Sequence, residues 1–175
     1  MGERHPNIVN GEELEWIDTA EAARAKTPAD RHRGSKLGAR AKRLAQATGG
    51  SKLGCSLYEI PPGKRGFQYH CHLGNDEAIY LLEGEATIRL GEREIAVRAG
   101  DYISLPAGTA QPHQMMNTSS APVRYLCLST MQWPDLVLYP DSQKIGFMAP
   151  TGPGGEMVRQ LQRIGDTLTY YDGED

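Results

Sequence analysis

The chain has 175 residues, 20 of them glycine and 11 proline, with a formal net charge of −3. That length favours one domain with a sizeable core, and the glycine and proline content favours many turns between short strands. The basic residues form no stripe that would track a phosphate backbone and no apolar run reaches spanning length, so neither nucleic acid nor a membrane is an expected partner. Residues 1–10 lack the apolar run of a signal peptide, and position 6 is Pro6 where myristoylation requires Ser or Thr. Three scattered cysteines, Cys55, Cys71 and Cys127, make no disulfide framework. A cytoplasmic protein with free thiols is the expectation.

Residues 1–36 read as a polar arm. Asn10-Gly11 is a turn signal, and Leu14, Trp16 and Ile17 offer one apolar anchor. Asp18 or Thr19 caps a short helix over 20–25, which Thr27-Pro28 ends. In 39–48, alanine, arginine, lysine and leucine favour helix by propensity. Only Leu44 is strongly apolar there, however, and no amphipathic stripe exists to dock a helix. Gly49-Gly50 turns the chain into a strand at 51–60, which Pro61-Pro62-Gly63 closes. Strands follow at 67–72, 77–82, 86–90, 94–98, 102–105, 113–117 and 123–130, separated by turns such as Gly91-Glu92 and Pro106-Ala107-Gly108. Such a series predicts an all-β barrel or a two-sheet sandwich. Beyond 130, segments 136–139 and 144–148 flank a turn at Pro140-Asp141-Ser142. A loop at 149–155 and a short helix over 156–163 complete the expectation.

Three of the five histidines fall at strand positions. Alternation places Gln68, His70 and His72 on one face of their strand and Phe67, Tyr69 and Cys71 on the other. Residues i and i+2 of a strand stand roughly 6.5–7 Å apart, a span that one ion bonded to each imidazole at about 2.1 Å can bridge. Glu77 returns across the turn Gly74-Asn75-Asp76 to face the pair.

The order and spacing of these residues resemble the cupin superfamily. Its first motif runs Gly, five residues, His-x-His, three or four residues, Glu, six residues, Gly. Here Gly63 precedes His70 by one residue more than usual, and His70-Cys71-His72, Glu77 and Gly84 keep the spacing. Its second motif runs Gly, five residues, Pro-x-Gly, two residues, His, three residues, Asn. Gly100, Pro106-Ala107-Gly108, His113 and Asn117 fit, with four residues between Gly108 and His113; Gln111 stands at the strict-spacing position. Arg124-Tyr125-Leu126, Tyr139-Pro140-Asp141-Ser142 and Tyr170-Tyr171-Asp172-Gly173-Glu174 further resemble small single-domain cupins of unassigned function.

The resemblance covers 55–128. It implies a single double-stranded β-helix (jelly-roll) barrel over 37–130, an N-terminal arm over 1–36, and a C-terminal extension over 131–175 that packs on the barrel or on a partner subunit. It also implies an outer strand at 39–48, a homodimer, and one divalent metal ion held by His70, His72, Glu77 and His113. Three neutral imidazoles and one carboxylate suit Fe, Mn, Ni, Co or Zn and leave one or two positions open. Gln68 and Met115, by alternation, and Tyr58, Gln111 and Tyr125 are candidates to line a substrate pocket. Asp76 reads as an exposed neighbour, and the three cysteines read as core. No second ionisable group stands out as a general base.

The expected function is a metal-dependent enzyme of dioxygenase, isomerase or lyase type acting on a small polar or anionic metabolite. The alternative is a sugar- or metabolite-binding sensor that uses the same pocket without chemistry. Small size and free cysteines disfavour a storage role.

Overall fold

The computed structural model describes residues 4–26, 36–152 and 155–174. Among them every pairing between named strands is antiparallel. One layer is a six-stranded sheet in the order β1 (Ile17–Asp18), β2 (Arg40–Lys42), β3 (Gly54–Ile60), β10 (Val123–Ser129), β5 (Glu77–Glu83), β8 (Tyr102–Leu105). Facing it are two smaller sheets. The first runs β7 (Arg93–Arg98), β6 (Glu85–Leu90), β9 (His113–Met116). The second runs β13 (Met157–Arg163), β12 (Lys144–Pro150), β11 (Asp135–Tyr139), β4 (Cys71–His72). An antiparallel bridge between His70 and His113 joins these two sheets through paired backbone bonds of 3.1 and 2.7 Å.

Alternation along the strands builds the core. Ile79 and Leu81 of β5 and Ala86 and Ile88 of β6 are buried, whereas Tyr80 and Leu82 face outward. Ile60, Val123 and Tyr125 close the core from β3 and β10, with Tyr58 stacked on Tyr125 at 5.5 Å and set edge-on to Phe67 at 5.3 Å. Full burial of side chains of this size contributes about 1.5–3 kcal/mol each. Gly84 turns β5 into β6 at φ +81, where a Cβ would lie 2.8 Å from the Pro122 carbonyl oxygen, so glycine meets both the conformation and the close approach.

Segment 39–48 divides between the two readings its sequence supports. Its first half is β2, paired to β3 with Ala41 opposite Tyr58; its second half is one helical turn, α2 (Leu44–Ala47). Ala39 and Ala41 are fully buried, and such small side chains let the backbone pair at the sheet edge instead of coiling. The arm locks onto this edge. Trp16 lies under Arg40 and Lys42 at 4.6 and 4.8 Å, and the buried Lys42 donates to the Gly11 carbonyl at 2.7 Å. The helix after β1, α1 (Thr19–Lys26), begins where Asp18 Oδ1 accepts from the Glu21 amide at 2.8 Å.

Two expectations are corrected. Where a helix over 156–163 was expected, the chain forms the strand β13 (Met157–Arg163), because the open edge of β12 offers a full ladder from Lys144–Arg163 to Pro150–Met157. Backbone pairing outweighs the helix propensity of Met, Gln, Leu and Arg there. The strand expected at 67–72 is regular only at Cys71–His72, since Gly66 and His70 bond instead to Met115 and His113 across the seam. No described helix is long and apolar enough to cross a membrane.

Candidate metal centre

Four side chains, three from the strands β4, β5 and β9 and one from His70 just before β4, converge where the sheets meet. His70 and His72 lie on the same face of an extended segment, their rings 5.1 Å apart, while Cys71 between them is buried on the opposite side. His113 opens β9 directly across the bridge, its ring 4.6 Å from that of His70. Glu77 opens β5 and points back at them. Its Oε2 lies 3.4 Å from His113 Nε2 and 3.6 Å from His72 Nε2. One donor atom each from His70, Glu77 and His113 falls within 4.8 Å of the others.

The outer nitrogens explain why the inner ones point inward. His70 Nδ1 lies 2.7 Å from the Gln68 carbonyl oxygen, so Nδ1 carries the proton and the Nε2 lone pair is free. His72 Nδ1 lies 2.5 Å from Oδ2 of Asp135, a carboxylate 1% exposed on β11. Asp135 is held in turn by the Gly74 amide at 3.1 Å, and a Cβ on Gly74 would crowd its Oδ1 at 3.2 Å. Asn75 fastens the same turn to the loop before β11 through the Gln132 carbonyl at 3.0 Å and the Gln132 amide at 2.5 Å. A histidine whose second nitrogen is bound to a carboxylate is the arrangement that fixes a metal ligand's tautomer and raises its basicity.

The electrostatics suit a cation. Burial, reinforced by the neighbouring His113, brings His70 down to about 4, so it is neutral at physiological pH. Burial alone would raise Glu77, but the hydrogen bond from His113 and the surrounding imidazoles outweigh it and hold the carboxyl at about 2. A neutral His70 beside an ionised Glu77 is the pair of protonation states that a divalent ion needs in those two ligands. The donor set therefore fits one.

A cavity of about 340 Å³ opens over this cluster and is lined by Tyr58, Met115 and Tyr125 together with Phe67, Tyr139 and Trp133. Two of the expected pocket residues lie elsewhere. Gln68 lines a neighbouring groove, because the irregular backbone before His70 breaks the alternation that would have turned it inward. Gln111 sits exposed in the loop before β9, where Ala110 takes a positive φ of 49 and absorbs the extra length. His113, not Gln111, therefore faces the other three. Cys71 is buried, Cys127 is partly buried and packs against the core, and Cys55 is partly buried; the last two border the cavity. Asp76 is exposed and accepts from the Ala107 amide at 2.7 Å.

A family model described as "Cupin domain" matches residues 56–129. Residues 56–129 are a cupin domain. An uncharacterized protein of Methanocaldococcus jannaschii is 33% identical over 70 residues, 40% of this chain and 54% of its own length, so the chain spans about half of the curated relative it matches. Among solved structures, a protein of Acidithiobacillus ferrooxidans named "putative sugar phosphate isomerase" is 26% identical, with a TM-score of 0.66 over 77% of this chain and 81% of its own. A cupin of Silicibacter pomeroyi named sugar phosphate isomerase is 22% identical, with a TM-score of 0.73 over 93% and 97% of the two chains. The second likeness, at 93% of this chain, shows a shared fold that reaches beyond residues 56–129.

Proposed function

We propose that this cupin binds one divalent transition metal through His70, His72, Glu77 and His113 and is an enzyme acting on a small polar or anionic metabolite. The observation that carries the reading is the convergence of three inward imidazole nitrogens on one ionised carboxylate at the floor of a cavity. Dioxygenase, isomerase and lyase chemistry all fit such a site; the likeness to the Acidithiobacillus protein favours isomerase among them. Bound there, the ion supplies a Lewis acid that polarises a carbonyl or hydroxyl of the substrate.

The chain's own groups define the rest. Burial raises the Tyr58 and Tyr125 phenols and the Cys127 thiol, so at neutral pH these groups stay protonated and act as hydrogen-bond donors rather than bases. Cys127 Sγ lies 3.9 Å from Glu77 Oε1, while the other oxygen, Oε2, faces His72 and His113. Tyr139 stacks on His70 at 6.0 Å and walls the cavity beside it. The cavity's two carboxylates, Glu77 and Asp135, are both committed to histidines. That last point favours the second reading, a binding module without turnover.

Elemental analysis of protein purified without chelator tests the site. Less than about half an equivalent of transition metal, not restored by adding metal back, refutes it. His113→Ala and Glu77→Ala, checked for folding, should each lose the ion and any turnover found by screening sugar phosphates and small acids. Saturable ligand binding without turnover selects the sensor.

A further inference from the structure

Two arginines that no motif singles out stand at the edge of this cavity. Arg43, just after β2, and Arg159, on β13, each line it. Both also line a second cavity of about 280 Å³ beneath α1, so with Phe67 they form the partition between the two spaces. Elsewhere Arg40, Arg89 and Arg124 meet carboxylates: Glu59 takes Arg40 and Arg124 on its two oxygens at 2.8 Å, and Asp141 takes Arg89 at 2.7 Å. Among the described residues neither Arg43 nor Arg159 has such a partner. Among the described residues, the second cavity has no acidic residue in its lining, and the two acids lining the first are bound to histidines.

Arg43 is also held in place. Its Nη1 donates to Tyr58 Oη at 2.6 Å and to Ser56 Oγ at 3.3 Å, and its guanidinium carbon lies 5.5 Å from the Tyr58 ring centroid. An arginine that merely solubilises a surface is not pinned half-buried by a phenol and a hydroxyl. With Nη1 committed, Nε and Nη2 have no hydrogen-bond partner among the described residues and can present a fork, the geometry that matches an anionic oxygen pair. Two like charges on one opening repel unless an anion joins them.

We propose that Arg43 and Arg159 form an oxyanion clamp at the mouth of the metal cavity, which takes the phosphate or carboxylate end of the substrate while its reacting end lies at the histidines. The inference rests on the cavity being the substrate site, and it specifies the ligand as two-ended, with an anionic group opposite the metal-facing group. It also assigns a role to β13: that strand brings a charge from the C-terminal hairpin to a site built by the barrel.

The test is titration of inorganic phosphate and of acetate, at fixed ionic strength, into as-purified wild type and into Arg43→Gln, Arg43→Lys and Arg159→Gln. Metal content is measured on the same samples. Removing either charge should weaken the better-bound probe about tenfold or more, and Arg43→Lys should keep part of its binding. Phosphate outcompeting acetate assigns the clamp to a phosphate end; the reverse assigns it to a carboxylate end. The proposal is overturned if wild type binds neither probe saturably, or if both glutamine variants bind as wild type does. Because Arg159 is exposed on an edge strand, its variant decides the matter even if Arg43→Gln fails to fold. Arginine-dependent binding in protein devoid of metal would leave the clamp standing and remove the metal reading. Full metal with arginine-independent binding would do the opposite.

Discussion

Asp135→Asn isolates the orientation of His72 from the identity of the ligands. The wild-type carboxylate accepts two hydrogen bonds, from His72 at 2.5 Å and from the Gly74 amide at 3.1 Å, and is 1% exposed. An asparagine of the same shape keeps one accepting oxygen. If its NH₂ faces His72, the imidazole must turn to its other tautomer and place a proton on the nitrogen that faces Glu77. If its oxygen faces His72, its NH₂ meets the Gly74 N–H, donor against donor. The second arrangement forfeits one buried hydrogen bond, about 1–3 kcal/mol, whereas the first keeps both and instead takes the inward lone pair of His72 out of use. Losing such an outer partner typically weakens metal binding 10–100-fold, about 1.4–2.7 kcal/mol, so the two routes to the magnitude agree. Competition for Zn(II) and Mn(II) against a chromophoric chelator measures it, with circular dichroism as the check on folding. An affinity within about twofold of wild type would refute the role given to Asp135.

Two further outcomes follow from the structure. In metal-free protein His70 titrates near 4 when folded and near 6.5 when unfolded, so the unfolded chain binds the extra proton between those values. His70 should therefore remove about 3 kcal/mol of stability as pH drops from about 6.5 to about 4, and the depressed Glu77 carboxyl should carry the fall on from about 4.5 towards 2. Urea unfolding at pH 7 and pH 5 reads it, and His70→Gln should flatten that part of the profile. Asn117→Ala should act on stability alone. Asn117 is 2% exposed and makes four hydrogen bonds, to the Ile60 and Ala121 carbonyls and from the Ser119 amide and hydroxyl. Its loss should cost about 2–4 kcal/mol in urea unfolding and leave the metal affinity of the folded protein unchanged.

What the sequence made legible follows from how local each signal is. His70 and His72 share a face because a strand repeats every two residues, and that needs no tertiary information. Glu77 was found through a short turn, and His113 through its spacing to Asn117, the residue that pins the loop after β9. Gln68 failed the same alternation rule because the chain before His70 is not a regular strand, and it is the carbonyl of Gln68 that the site uses. Asp135 lies 63 positions from His72, and only the pairing of β11 with β4 brings them together. Arg43 was hidden in a stretch whose propensity argued about helix or strand and not about what its side chains face. The strand β13 is not legible locally because its partner, the free edge of β12, exists only in the assembled sheet.

The strand β11 is shared property. It gives β4 its only sheet neighbour among the described strands and gives His72 its carboxylate, while β12 hangs from its other edge. With an ion in the proposed site, its binding and docking of the C-terminal hairpin would be thermodynamically linked: by whatever factor the docked hairpin tightens the ion, the ion would tighten the docked hairpin. The match to the cupin family ends at residue 129, before the hairpin starts. A boundary drawn there would keep all four inward donors and discard the brace on one of them. For this chain, the smallest unit that recognises a family is smaller than the smallest unit that holds its site rigid.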